Sequence, residues 1–263
     1  ILKLTRSISN DFKIKNLCLA GGVALNCVAN GKILKDKIFE NIWIQPAAGD
    51  AGGSLGAALG YWHRELNKPR ENFSDQMRGS YLGPKFDENK VESSLKKLKA
   101  KFKKIDEKSV NQIIAKKLSE NKIVGWFQGR MEFGPRALGA RSILADPRSE
   151  KMQKDLNLKI KFRESFRPFA PSILREDLSK WFELDNDSPY MSLVANIEKS
   201  KKLQITDHQE KFFGIEKLNV KRSIIPAVTH VDYSARIQTV HKETNPRYYD
   251  LISEFKKITN CPI

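Results

Sequence analysis

Cysteine is scarce in this 263-residue chain: Cys18, Cys27 and Cys261 are too few and too scattered for a disulfide framework or a paired thiolate metal site, and point to a reducing, cytoplasmic setting. The four histidines, at positions 63, 208, 230 and 241, form no His-x-x-His or His-x-x-x-His pair, so this chain alone assembles no transition-metal site. No run approaches the roughly 18 apolar residues of a membrane span. No signal-peptide pattern opens the chain either, so a soluble protein without a membrane partner is expected. A Gly-x-Ser-x-Gly elbow and a catalytic cysteine signature are both missing, which removes support for nucleophilic hydrolysis. Acidic charge is short as well: 31 Asp and Glu face 47 Lys and Arg, for a net charge of +16. Such a field attracts phosphates, anionic metabolites, nucleic acid or acidic surfaces without choosing among them. Much of the excess is lysine, as in Lys96, Lys97, Lys99, Lys101, Lys103 and Lys104, a run that reads as a solvated helix face.

Against that lysine-rich background one stretch stands apart. Residues 125–148 carry four arginines and no lysine, whereas the whole chain has 33 lysines and 14 arginines. Arg163, Arg167 and Arg175 follow, placing seven of the fourteen arginines within residues 125–175. Either residue serves a solvated basic surface, but only arginine offers a planar fork that grips a phosphate or carboxylate through two parallel hydrogen bonds. Glycines at 125, 129, 134 and 139 and prolines at 135 and 147 interleave with these arginines, so the backbone turns sharply and can approach a ligand. Surface ion pairing is the alternative use of such a cluster.

The apolar pattern gives an α/β chain. Residues 16–20 read as a strand closed by Gly21-Gly22, residues 23–34 as a helix, 41–44 as a strand, and 54–66 as a helix after a small-residue loop. Alternation of this kind predicts a parallel sheet. Pro69, Gly79, Gly83 and Pro84 place a domain boundary near residues 70–80. Beyond it, helices are expected around residues 91–102, 110–118, 149–161, 178–184 and 248–258. Strands are expected at 102–105, 122–127, 191–197, 227–230 and 235–240. The strand at 122–127 leads into the arginine-rich loop, which places that loop at a strand end where α/β proteins bind ligands. The chain begins at Ile1 without an initiator methionine and stops at Ile263 as an apolar segment opens, the pattern expected of a fragment.

Two further constellations bear on chemistry. Gly21, Gly22 and Asn26 fall in a turn that presents backbone amides at a helix N-terminus, suited to a phosphate and equally suited to a structural turn. Asp50 is the single acidic residue of PAAGDAGGSLGAALG at 46–60; it fits an N-cap, or, with such small neighbours, a contact to nucleotide or metal.

Five motifs in order, GGVALN at 21–26, AAGDAGGSLGAAL at 47–59, GRMEFGPRALGARSILADPR at 129–148, IKFRESFRPFAPSIL at 160–174 and PAVTHVDYSARIQTV at 226–240, resemble the carbamoyltransferases of the nodulation and antibiotic-biosynthesis type. The resemblance implies that residues 1–75 are the C-terminal portion of an actin/Hsp70-like ATPase domain, like that of the threonylcarbamoyl-adenosine tRNA-modification enzymes. Residues 76–263 would be most of a YrdC-like α/β domain. It further implies that carbamoyl phosphate and ATP form carbamoyl-adenylate, and that the carbamoyl group then passes to a hydroxyl of a sugar or natural-product acceptor. Arg136, Lys161, Arg167 and Arg236 match positions expected to hold carbamoyl phosphate, with Arg130, Arg141 and Arg163 as further anion contacts. Gly21, Gly22 and Asn26 would lie beside nucleotide, and Asp50 matches an aspartate ligand of Fe2+.

This sequence departs from the family pattern in three places. The histidine pair that completes the metal site is absent, as is an Asn-Thr-Ser-Phe-Asn segment expected just after residue 263, and Tyr233 stands where glycine is usual, beside Arg236. Two other readings compete. A tRNA threonylcarbamoyl enzyme would share both halves, though not their fusion in this order. A non-catalytic basic module would bind nucleic acid through the +16 charge and lose it steeply with salt.

Overall fold

The computed structural model describes residues 1–71 and 75–263. In chain order the elements are α1 (Leu2–Phe12), β1 (Asn16–Leu19), α2 (Cys27–Asp36), β2 (Asn41–Ile44), α3 (Ala51–Gly60), α4 (Glu88–Lys97), α5 (Glu107–Ser119), β3 (Val124–Phe127), β4 (Arg141–Leu144), α6 (Met152–Lys159), β5 (Ser172–Leu174), α7 (Leu178–Trp181), β6 (Leu193–Asn196), α8 (Asp207–Glu210), α9 (Ile215–Leu218), β7 (Ser234–Val240) and α10 (Pro246–Thr259). The mixed α/β class holds. Among the described residues no helix is long and apolar enough to cross a membrane.

Among the described residues three small sheets organise these elements. β1 and β2 pair in parallel, as the alternation of strand and helix requires. β3 and β4 pair antiparallel, with Phe127 opposite Arg141, so the arginine-rich segment is the connection of a hairpin-like pair. The third sheet is centred on β7, parallel to β5 and antiparallel to β6. Burial on both flanks leaves Ile237 and Ala235 with no exposed surface and makes β7 the spine of the main core.

α10 covers that core because its apolar residues recur at helical spacing: Tyr248, Leu251, Ile252 and Phe255 are buried. Each fully buried aliphatic or aromatic side chain of this kind contributes roughly 1.5–3 kcal/mol. Asn245 starts the helix by accepting the Tyr248 N–H, Pro246 occupies the first turn, and Asn260 ends it in a left-handed conformation. α10 packs along α5.

The N-terminal segment is fastened to β6 through α2. A Cβ added at Gly31 would lie 2.3 Å from the Val194 carbonyl oxygen, so only glycine permits this approach. Next to it, the buried Asn30 donates to the carbonyls of Ala24 (2.8 Å) and Ser192 (3.1 Å).

Several expectations are corrected. Residues 102–105 form no strand. Residues 226–228 form a 3-10 turn opened by Pro226, not the start of a strand at 227–230, because proline donates no ladder hydrogen bond. The helix expected at 178–184 stops at Trp181, where Phe182 turns extended and bridges Ile197. The helix expected at 23–34 begins as a 3-10 turn over Gly22–Leu25, and that expected at 54–66 runs from Ala51 into a π turn at Tyr61–Glu65. The expected boundary near residues 70–80 includes residues 72–74, which lie outside the described residues. Just after them, Ser80 Oγ donates to the Phe133 carbonyl at 2.6 Å and Tyr81 Oη to the Leu138 carbonyl at 2.6 Å, tying this segment to the arginine loop.

Candidate anion-binding site

The loop between β3 and β4 is folded around a carboxylate. Glu132 is only 6% exposed, and its Oε1 accepts the backbone N–H groups of Leu138 (2.7 Å), Ala140 (2.9 Å) and Arg141 (3.3 Å). Gly139 follows in a positive-φ conformation (98°), pressed against the ring of Tyr248. Gly134, at φ 136°, lies against the backbone of Pro46, and Arg136 Nη2 donates to the Leu25 carbonyl at 3.3 Å. The loop is thereby locked on both sides, to α10 and to the N-terminal segment.

The four arginines of residues 125–148 have three different uses. Arg141 donates to the carbonyls of Gln128, Ala140 and Gly129, with its guanidinium 3.5 Å from the centre of the Phe127 ring. Arg130 donates to the Gly83 carbonyl, and Arg148 pairs with the buried Asp146 at 2.6 Å. Arg136 alone of the four turns into a cavity of about 620 Å³.

Among the described residues, five arginine and lysine side chains line that cavity: Arg136, Lys161, Arg163, Arg167 and Arg236. Arg130 and Arg141 lie outside it. Lys161, Arg163 and Arg167 come from the connection between α6 and β5, which α6 holds in shape. Asn157, with no exposed surface, donates to the carbonyls of Ser165 (3.1 Å) and Arg167 (2.8 Å) and accepts from Arg163 Nε at 2.7 Å. Gln153 donates to the Phe166 carbonyl at 2.6 Å. Arg236 comes from β7. The deeper wall is apolar, with Leu144, Met152, Leu156, Phe169, Ile252 and Phe255.

Positive charge outweighs negative there. Among the described residues the one carboxylate on the wall, Asp146, is engaged by Arg148, and Arg167 makes an exposed pair with Glu164 at 2.9 Å. Among the described residues Arg136, Lys161, Arg163 and Arg236 make no ion pair. Burial, then repulsion from Arg136 and Arg163, pushes the Arg236 pKa below the usual arginine value, and its Nε is buried without a hydrogen-bond partner. A buried guanidinium N–H without an acceptor is costly unless an anion completes it. The arrangement can therefore receive a small, multiply charged oxyanion through planar forks.

The nucleotide and metal candidates lie on the N-terminal segment. Gly21 has φ 88° and both Gly21 and Gly22 are exposed, so the turn presents open backbone. The Asn26 carboxamide oxygen is committed to capping α2 through the Ala29 N–H. Cys27, the next residue, lines the cavity. Asp50 is exposed at the start of α3 and makes no side-chain cap, and among the described residues no three potential ligand groups come together to hold a metal. One carboxylate does not make an Fe2+ site, and these residues on their own do not fit that ion.

Two family models match this chain: one described as Carbamoyltransferase C-terminus over residues 115–263, and one described as Carbamoyltransferase N-terminus over residues 1–59. The chain belongs to the carbamoyltransferase family. It is 54% identical, across its whole length, to an uncharacterized protein of Synechocystis sp., of which it covers 43%. It is 42% identical to the nodulation protein NolO of Bradyrhizobium diazoefficiens over 94% of this chain and 42% of that protein, and 33% identical to Nodulation protein U of Sinorhizobium fredii over 95% of this chain and 38% of that protein. The chain thus spans less than half the length of these relatives.

In this carbamoyltransferase chain three residues at the site escaped sequence reading. Glu132 and Asn157 looked like ordinary polar residues in a loop and a helix; nothing in their spacing announces that each satisfies several buried backbone groups. His230 lines the cavity, although a single histidine carries no pattern to find it by. Its pKa is pushed down by burial and by Arg236, with Asp232 acting in the opposite sense. Tyr233 does not line the cavity: it adopts φ 62°, the region that favours glycine, and its hydroxyl reaches the Leu203 carbonyl at 3.3 Å.

Proposed function

We propose that the cavity binds carbamoyl phosphate and that the protein is an O-carbamoyltransferase. The observation that carries this reading is the convergence of Arg136, Arg163 and Arg236, without ion-pair partners, in one cavity of a chain of this family. Carbamoyl phosphate is a small dianion, and planar forks from three separate chain segments suit its oxygens, with Lys161 adding a point charge.

In the proposed reaction the carbamoyl–phosphate C–O bond is hydrolysed to carbamate and inorganic phosphate. A carbamate oxygen then attacks the α-phosphorus of ATP, giving carbamoyl-adenylate and expelling pyrophosphate. Arg136, Lys161, Arg167 and Arg236 stabilise the departing phosphate and hold the carbamate in line for attack, with Arg163 fixing the donor. The carbamoyl group finally passes to a hydroxyl of a sugar or natural-product acceptor, with AMP as the leaving group. The exposed Gly21-Gly22 turn and Asn26 are assigned to nucleotide. Asp50 matches an aspartate position for Fe2+ but does not hold that ion on its own, and no step in the cavity depends on it. Residues 1–75 are assigned to the end of an actin/Hsp70-like ATPase domain and residues 76–263 to a YrdC-like domain. The substrates are intracellular metabolites, which favours the cytoplasm.

Pyrophosphate release tests the reading. It should require ATP and carbamoyl phosphate together and be abolished in Arg236→Ala. Release without carbamoyl phosphate, or release undiminished in that variant, would contradict it.

A further inference from the structure

We propose that His230 reads the amide of the bound donor, as the specificity-determining hydrogen-bond acceptor in a cavity lined by arginine and lysine donors. This rests on the reading of the cavity as a carbamoyl phosphate site. Arg136, Lys161, Arg163, Arg167 and Arg236 can only donate, which suits phosphate and carbonyl oxygens. The carbamoyl group also carries an NH2, and two N–H donors set among guanidinium groups need an acceptor. Among the other side-chain acceptors on the wall, Asp146 is held by Arg148 and Ser142 Oγ receives the Gly139 N–H at 2.9 Å, while Ser172 Oγ donates its proton to Gln238 Oε1 at 2.7 Å and keeps its own lone pairs.

A short chain of hydrogen bonds presents His230 in the right form. Asp232 Oδ1 receives the Ser234 hydroxyl at 2.6 Å and the Ser234 N–H at 3.1 Å. With its proton spent on Asp232, the Ser234 oxygen accepts from His230 Nδ1 at 3.1 Å. That network assigns the proton to Nδ1 and leaves the Nε2 lone pair, for which no partner exists among the described residues. The backbone holds the ring in place: His230 N–H donates to the Ser234 carbonyl at 2.8 Å, and Tyr233 N–H to the His230 carbonyl at 3.1 Å. Burial lowers the pKa of the imidazole, opposed by Asp232 and aided to a smaller degree by Arg236, so the neutral form is favoured.

Acetyl phosphate has the same shape and phosphate but a methyl group in place of NH2, and inorganic phosphate lacks the acyl group. Titration of the chain with all three ligands, in wild type, His230→Leu and His230→Gln, separates the possibilities. Wild type is expected to bind carbamoyl phosphate roughly tenfold more tightly than acetyl phosphate, the scale of one neutral hydrogen bond. His230→Leu should lose that preference while binding acetyl phosphate and inorganic phosphate as before, which also shows that the variant is folded. His230→Gln places an amide oxygen near the Nε2 position and should keep most of the preference. Equal binding of carbamoyl and acetyl phosphate by wild type, or a preference that survives His230→Leu, would overturn the role of His230 and leave the phosphate site standing. Failure of wild type to bind any of the three would instead overturn the site itself.

Discussion

Asn157, wholly buried in α6, accepts a hydrogen bond from Arg163 Nε at 2.7 Å, so a guanidinium at the cavity wall is aimed by a residue that never reaches the cavity. The same side chain holds the carbonyls of Ser165 and Arg167. Asn157→Leu should therefore release the whole connection. Each stranded buried polar group costs about 1–3 kcal/mol. The denaturation midpoint should fall, and phosphate affinity should fall by at least tenfold, a size consistent with loss of one charge-assisted contact. Unchanged affinity in a folded variant would mean that the connection keeps its shape without Asn157.

Glu132 performs the corresponding task for the arginine loop. Glu132→Ala leaves the N–H groups of Leu138, Ala140 and Arg141 without their acceptor. A loss of about 3–5 kcal/mol is expected in urea denaturation, the range for breaking a buried charged contact. Glu132→Gln retains an acceptor oxygen and should lose distinctly less.

The sequence made the arginines visible and left their supports hidden. An excess of arginine over lysine in residues 125–175 flags a demand for planar forks, and five of the seven proposed anion contacts do line one cavity. The other two, Arg130 and Arg141, have the same residue type and similar glycine-rich surroundings, yet spend their donors on carbonyls. Which way an arginine turns is settled by tertiary contacts, such as the Phe127 ring under Arg141, that local sequence does not encode. In the fold, α10 was legible because its apolar stripe and its caps agree. The segment at 227–230 is not legible, because Ala227 and Val228 are apolar enough for a strand while burial beside Pro226 in a 3-10 turn satisfies them equally. β5 is three residues long, too short for any periodicity to show.

Gly139 offers a test of the loop's seat on α10. A Cβ there would meet Tyr248 Cδ1 at 2.4 Å, and φ 98° is strained for any L side chain. Gly139→Ala should cost about 2–4 kcal/mol from overpacking and backbone strain together. Gly125→Ala, where nothing lies within 4 Å, is the control and should change stability by less than about 0.5 kcal/mol.

Acid should weaken the fold through His230. Its folded-state pKa lies below the ordinary value of about 6.5, so between the two the unfolded chain binds more protons and stability rises with pH. The contribution is present above about pH 6.5 and is lost as pH falls from there towards the folded pKa. Denaturation midpoints measured over that window should decline more steeply in wild type than in His230→Gln. Parallel curves would show that His230 titrates alike in both states.

Calorimetric titration with carbamoyl phosphate, at about 0.15 M salt so that loose surface attraction is screened, with Arg136→Lys run in parallel, bears most directly on the central claim. The account predicts saturable binding by wild type and a loss of roughly 1.5–3 kcal/mol in the variant, the strength of a charge-assisted hydrogen bond, although the charge is kept. Equal affinity in the two proteins would contradict it, because the cavity would then be reading charge alone and not the geometry of its arginines.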